Sequence, residues 1–233
     1  MNINPRFIFF AKISKPDLLL IDKPKGITSF DVIRILRRKI NIRKIGHAGT
    51  LDPLASGLMI LGINKGTKKL TNLIKLDKKY KSEIVLGEKR TTGDLEGEII
   101  QFKDLTKQDL CNLKKNKTLE KTLKDMVGNL ELPVPAFSAI KRGGQPLYKK
   151  ARKGIEMDLP IKTMKVISAK IVKTKFNKKT QRIHVWVVFH VGSGTYIRSL
   201  VENFGERIGL PATLGNLRRT QVGDFSISKS YRI

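Results

Sequence analysis

A single carboxylate in a glycine-rich loop is the first candidate for chemistry. Residues 46–57 read GHAGTLDPLASG, and Asp52 is the one acid among them. Glycines permit turns that a side chain would forbid, whereas Pro53 has no N–H and pushes Asp52 toward an extended conformation. The pattern predicts a stiff loop that presents one acid, as a catalytic acid, base or nucleophile requires. The alternative is an ordinary turn residue, which an Asp before Pro often is.

Neighbouring elements must hold this loop in place. The apolar run at residues 58–61 (LMIL) predicts a buried strand directly after the loop, and residues 18–21 (LLLI) predict an earlier one. Between them, the turn at residues 23–26 (KPKG) leads to Thr28 or Ser29, either of which can cap an amphipathic helix.

The rest of the chain alternates between helical and strand patterns. We predict a helix at residues 67–74, a strand at residues 79–86, and one or two Lys-rich helices within residues 106–127. Residues 163–175 and 181–191 predict two further strands, and the second alternates, with apolar residues at 183, 185, 187, 189 and 191 on one face.

A long segment between these elements fits neither a helix nor a strand pattern. Residues 132–154 contain prolines and the pair Gly143-Gly144, which predict an irregular loop of the kind that is usually functional or mobile. Its cations suit phosphate contacts and its aromatic rings suit base stacking, although an ordinary surface loop is the alternative. The cations are Lys141, Arg142, Lys149, Lys150, Arg152 and Lys153, and the aromatic residues are Phe137 and Tyr148.

The charge of the chain indicates a polyanionic partner. Forty-seven basic and twenty acidic residues give a formal net charge of +27 in 233 residues. Lys and Arg side chains that contact phosphates release counterions and so drive nucleic-acid binding. The alternative is compositional drift that places some of these charges on solvated faces.

Other classes of protein are disfavoured by composition. Cys111 is the only cysteine, so no disulfide can form within the chain, and three histidines with one cysteine argue against a zinc site. No apolar run reaches the length of a membrane span, and residues 7–11 are too short for a signal sequence. We therefore expect a cytoplasmic protein without a metal.

The loop around Asp52 resembles the signature loop of the TruB family of tRNA pseudouridine synthases, which modify the T-loop uridine (position 55 in the usual tRNA count). Twelve consecutive residues fit that pattern, with Ala48 and Ser56 at positions where threonine is usual or common. Further matches extend from about residue 17 to residue 220. The resemblance implies that Asp52 is the essential catalytic residue.

The resemblance also implies partners for this acid. Residues 194–198 (GTYIR) match the string whose arginine, here Arg198, pairs with the catalytic aspartate. An arginine at the start of a helix has no reason to be there from the helix dipole, so a carboxylate partner is physically sensible. Tyr80 inherits the role of the tyrosine that packs against the target base.

The remaining implied residues bind the RNA. Lys23 maps to a lysine near the active site, although by residue type alone it is a solvated turn residue. His47 is expected to help flip the target base, and the backbone of Leu217 is expected to read the uracil edge. The other expected RNA contacts are Lys141, Tyr148, Arg152 and Tyr196.

The implied reaction breaks the C1′–N1 bond, rotates the uracil and forms a C1′–C5 bond. It needs no metal, redox carrier or ATP, so no cofactor is expected. The carboxylate can act as a nucleophile or help to remove a sugar proton, and the sequence does not choose between these routes.

The fold implied by the family is α+β: a mixed, mainly antiparallel sheet with flanking helices and an RNA-binding cleft across one face. We expect residues 1–233 to form a single catalytic domain, with an RNA-binding insertion at about residues 130–160. Since only residues 221–233 follow Thr220, the small C-terminal RNA-binding (PUA-like) domain usual in the family is not expected. The expected partner is the T-arm of tRNA, bound by a monomer.

Two other functions compete with this interpretation. A non-catalytic basic RNA-binding protein, ribosomal or chaperone-like, would explain the charge but not the Asp52 loop. A phosphate-binding enzyme is a poor match, since Gly57 and Gly62 have the P-loop spacing but Ile63 stands where lysine is required. The pair Gly192 and Gly194 lacks the third glycine of a dinucleotide motif.

Overall fold

The structure, a computed structural model, describes residues 17–155 and 157–233, and the apolar segment 7–11 lies outside them. The described chain divides into two units. The first is formed by residues 17–81 together with Leu217–Ile233, and the second is Ser82–Asn216. No helix within the described ranges is long and apolar enough to cross a membrane.

The elements follow one another along the chain with short connections. The strands are β1 (Leu18–Lys23), β2 (Ile45–His47), β3 (Ser56–Ile63), β4 (Lys78–Leu86), β5 (Glu88–Arg90), β6 (Ile99–Phe102), β7 (Gly128–Pro133), β8 (Lys141–Arg142), β9 (Gln145–Pro146), β10 (Ile161–Asn177), β11 (Arg182–Val191), β12 (Ala212–Val222), β13 (Phe225–Ser226) and β14 (Tyr231–Arg232). The helices are α1 (Ser29–Ile40), α2 (Leu70–Ile74), α3 (Lys107–Lys115), α4 (Thr118–Asp125), α5 (Leu147–Ala151) and α6 (Ile197–Ile208), with 3₁₀ turns at Asn64–Lys69 and Ile227–Lys229.

The sheet of the first unit is built around β3. Strands β1 and β2 pair with it antiparallel, β12 pairs with it parallel, and β14 adds to β1 in parallel. All eight residues of β3 are buried, because the strand is covered on both faces. Leu58 and Ile60 pack with Ala48, Leu70 and Val222 in one of its core clusters. The predicted buried strand after the Asp52 loop is confirmed.

The second unit carries an antiparallel run of strands. Strand β11 pairs with β10, and β10 pairs with β7. The alternation in β11 is confirmed, since its apolar residues at positions 183, 185, 187, 189 and 191 are all buried. Helix α4 packs against α6 and β10. Together with the parallel pairs of the first unit, this gives the mixed, mainly antiparallel α+β fold that was predicted.

Several local predictions need adjustment. The helix expected at residues 67–74 is the end of a 3₁₀ turn, Asn64–Lys69, followed by the short α2. Within that turn, Gly66 lies against the carbonyl of Asp17, where a side chain would have no room. Residues 106–127 form two helices, in agreement with the one or two that were predicted, and they are separated at Lys117 in the left-handed region. The segment 132–154 is less irregular than expected, since it contains the β8–β9 hairpin and helix α5.

Candidate active site

The backbone on both sides of Asp52 is held by hydrogen bonds. The hydroxyl of Ser29 accepts a bond from the Leu51 N–H (2.8 Å) and donates to the Leu51 carbonyl (3.0 Å). On the other side, the carbonyl of Pro53 accepts from the N–H of Gly26 (2.9 Å). Asp52 itself is half-buried. The loop is therefore fixed immediately before and after its acid, as a preorganised catalytic group requires.

Lys23 contributes to this support from the end of β1. Its ammonium donates to the carbonyls of Ile27 (2.7 Å) and Pro24 (3.0 Å), and it lies 3.5 Å from the carbonyl of Pro53. The side chain is fully buried. The interpretation of Lys23 as a solvated turn residue is therefore wrong, and the lysine lies beside the loop that carries Asp52.

Arg219 in strand β12 contacts the chain on both sides of Asp52. The buried guanidinium of Arg219 donates to the carbonyls of Gly49 (3.1 Å), Thr50 (3.4 Å) and Leu58 (2.7 Å). Gly57 has a φ of +113°, and a Cβ there would lie 2.2 Å from the carbonyl oxygen of Arg219. Leu217 of β12 was predicted from the sequence as a site residue, whereas Arg219 was missed.

Three further predicted residues lie in the first unit. His47 ends β2, and burial lowers the pKa of its imidazole, with a smaller contribution from the Arg219 cation. Tyr80 lies in β4 and Leu217 in β12, and both are buried. The hydroxyl of Thr220 donates to the carbonyl of Lys79 (3.2 Å), which ties β12 to β4 next to Tyr80.

In the second unit, Arg198 is the second residue of α6 and is buried. Its guanidinium donates to the carbonyls of Thr92 (2.9 Å) and Phe137 (3.0 Å), and its Nε lies 3.8 Å from a carboxylate oxygen of Asp94. Asp94 is buried and also accepts a bond from the Thr92 hydroxyl (2.6 Å). Sequence reasoning missed Asp94; its signal was an acid within the turn-rich segment 91–97.

The loop predicted to bind RNA presents cations and aromatic rings. Lys141 and Arg152 are exposed, and the Arg152 guanidinium carbon lies 5.6 Å from the centroid of the half-buried Tyr148 ring. Tyr196 precedes α6, and its backbone N–H contacts the sulfur of Met164 (3.5 Å). A cleft of about 740 Å³ is lined by Thr91, by Phe137 and by residues at the end of this segment and just after it, among them Ala151, Gly154 and Leu159.

The predicted site residues thus form two groups, one in each unit. Asp52, Lys23, His47, Tyr80 and Leu217 belong to the first unit, and Arg198, Tyr196, Lys141, Tyr148 and Arg152 belong to the second. Among residues 17–155 and 157–233, no group of three or more His, Cys, Asp or Glu side chains is placed to hold a metal ion.

Comparison with known proteins places this arrangement in a family. The profile of the TruB family pseudouridylate synthase (N-terminal domain) matches residues 37–197. The tRNA pseudouridine synthase B of Fusobacterium nucleatum is 39% identical over 210 residues, which cover 90% of this chain and 69% of the relative. That of Oenococcus oeni is 35% identical over 217 residues, which cover 93% of this chain and 71% of the relative.

Solved structures agree at the level of the fold. A chain in the crystal structure of a Cbf5-Nop10-Gar1 complex superimposes with a TM-score of 0.66 and 24% identity, over 96% of this chain and 52% of that one. An H/ACA RNP bound to a substrate RNA containing 2′-deoxyuridine gives a TM-score of 0.64 and 22% identity, over 92% and 50% of the two chains. The chain belongs to the TruB family of pseudouridine synthases.

Proposed function

We propose that this protein isomerises a uridine of tRNA to pseudouridine, and that the target is the T-loop uridine at position 55. Its relatives are named tRNA pseudouridine synthase B. The observation that carries the proposal is the Asp52 loop, in which Leu51 and Pro53 are both held by hydrogen bonds while the acid lies between them. A purely RNA-binding protein has no need of such a rigid support for one carboxylate.

Asp52 is the proposed catalytic carboxylate. It acts as the nucleophile or assists removal of a sugar proton while the C1′–N1 bond breaks and the C1′–C5 bond forms. Arg198 is proposed to keep Asp52 ionised and oriented, and Tyr80 to pack against the target base. His47 is proposed to help hold the base out of its stack, which a base-modifying enzyme must do.

A tritium-release assay tests this function. Formation of the C1′–C5 bond expels the hydrogen at C5, so a tRNA transcript made with 5-tritiated uridine should release tritium to water in proportion to turnover. A transcript with cytidine at position 55 is the control. Binding without any release would favour the alternative, a non-catalytic basic RNA-binding protein.

Two substitutions distinguish the role of the Tyr80 hydroxyl from the role of its ring. If packing against the base is its only role, Tyr80→Phe should retain most of the kcat, because the buried ring remains, whereas Tyr80→Leu should lose roughly 100-fold or more. If the hydroxyl takes part in proton transfer at C5, Tyr80→Phe should also be severely impaired. Single-turnover tritium release measures both variants, and full activity in both would remove Tyr80 from the site.

Binding of the T-arm is proposed to rest on the cations of the segment 132–154, and it should depend strongly on salt. About five phosphate contacts on a partly single-stranded RNA predict a slope of log K against log salt of roughly −3 to −5. Substituting Lys141→Gln or Arg152→Gln should each reduce the slope by about 0.7. Lys114→Gln, an exposed lysine on α3, is the matched control. A salt-independent Kd would place RNA recognition elsewhere.

A further inference from the structure

Arg219 combines complete burial with contacts that no step of the proposed reaction uses. Its side chain is 1% exposed and is one of the largest fully buried side chains of the described residues. The three hydrogen-bond acceptors described above are backbone carbonyls, those of Gly49 and Thr50 in the Asp52 loop and that of Leu58 in β3. Since a buried cation is costly unless its N–H groups are satisfied, its position here needs an explanation beyond RNA binding, for which the group is inaccessible.

The contacts of Arg219 enclose the catalytic loop. Gly49 and Thr50 precede Asp52, whereas Leu58 follows it, so one guanidinium joins both ends of the segment 49–58. The backbone reinforces this connection. Arg219 pairs with Gly57 in the parallel ladder of β12 and β3, at a position where only glycine leaves room for the Arg219 carbonyl.

The same strand carries Leu217, two residues before Arg219, and β12 is tied to β4 beside Tyr80 by the Thr220 hydroxyl. We propose that Arg219 is a positioning residue for catalysis: its guanidinium fixes the Asp52 loop to β12 and thereby sets the carboxylate relative to the strand assigned to the uracil edge. This inference rests on the proposed function, because it presupposes that Asp52 carries out the chemistry.

Two substitutions remove the guanidinium in different ways. Arg219→Lys keeps the charge, but a single ammonium cannot donate to the three carbonyls that the planar guanidinium reaches. Arg219→Ala removes the charge as well and leaves a cavity. We expect each to lower kcat by about 100-fold or more, as a small misplacement of a reacting group does. The Kd for tRNA should stay within about threefold, because a fully buried group makes no phosphate contact. Arg43→Lys, an exposed arginine of the same unit, should leave both values unchanged.

Exogenous guanidinium distinguishes positioning from general stability. Millimolar guanidinium chloride, far below its denaturing range, should raise the kcat of folded Arg219→Ala by about tenfold, since the lost group can return to its cavity. It should not help Arg219→Lys, whose cavity is filled, or Asp52→Asn. Thermal unfolding of each variant establishes that it is folded at the assay temperature.

The outcomes are decisive in each direction. A kcat within about threefold of the wild type in both variants, a loss explained by Kd alone, or no rescue of folded Arg219→Ala would overturn the proposal. Failure of both variants to fold would also overturn it, by showing that Arg219 serves the fold. Activity of Asp52→Asn would instead refute the proposed function, whereas an inactive Asp52→Asn beside fully active Arg219 variants would refute only the role of Arg219.

Discussion

Asp52→Asn should abolish isomerisation and leave tRNA binding nearly intact. The amide has the shape of the carboxylate but neither its charge nor its capacity as a nucleophile or base, so kcat should fall by roughly 10⁴-fold or more, about 5.4 kcal/mol of transition-state stabilisation. The loop should keep its conformation, because its supports from Ser29 and Gly26 act on the backbone of Leu51 and Pro53.

The proline after Asp52 reduces one source of background activity in this experiment. The main route of asparagine deamidation is attack by the N–H of the following residue, and Pro53 has none, so reversion to aspartate by this route should not produce a background activity. Asp224→Asn, at an exposed acid of the same unit, is the matched control and should be fully active. The readouts are single-turnover tritium release and the Kd for tRNA. Turnover of pure Asp52→Asn above the enzyme-free rate would contradict the catalytic assignment.

The parts of the fold that were predicted from sequence are those set by neighbours along the chain. The apolar run after the loop predicts β3, and the alternation at residues 181–191 predicts the buried face of β11, because both patterns are local. Glycine in the loop likewise indicates positive φ, which Gly49 and Gly57 adopt. The pair Gly143-Gly144 could have predicted the β8–β9 hairpin, since both residues have positive φ in its two-residue turn.

The supports of the site could not be predicted in this way, because they join residues that are far apart in sequence. The Arg219 guanidinium and the Gly49 carbonyl are separated by 170 positions, and no local pattern distinguishes Arg219 from a surface arginine. The burial of Lys23 was also not predicted, because a lysine in a Lys-Pro turn is normally solvated, whereas here its ammonium donates to the carbonyl of Ile27 and lies 3.5 Å from that of Pro53 in the distant Asp52 loop. Asp94 is buried beside Arg198, which is 104 positions away in sequence, and this ion pair likewise has no local sequence pattern.

Arg198→Lys is expected to have the second largest effect on catalysis. The guanidinium donates simultaneously to the carbonyls of Thr92 and Phe137 and faces Asp94, and one ammonium cannot replace a planar fork in these contacts. The substitution should lower kcat by roughly 100-fold or more, because the proposed orientation of Asp52 depends on this cation. Since it also leaves buried acceptors unpaired, it should reduce the free energy of unfolding by about 1–3 kcal/mol.

A double-mutant cycle with Asp94 tests whether Arg198 affects catalysis, stability or both. Arg198→Lys, Asp94→Asn and the double variant are compared by single-turnover tritium release and by urea unfolding, with Arg207→Lys as the control on the exposed side of the same helix. If the buried pair acts as a unit, the double variant should be little worse than either single one in both measurements. A loss of stability with kcat unchanged would make Arg198 a structural residue of the second unit. Strictly additive losses would show that Asp94 does not act through Arg198.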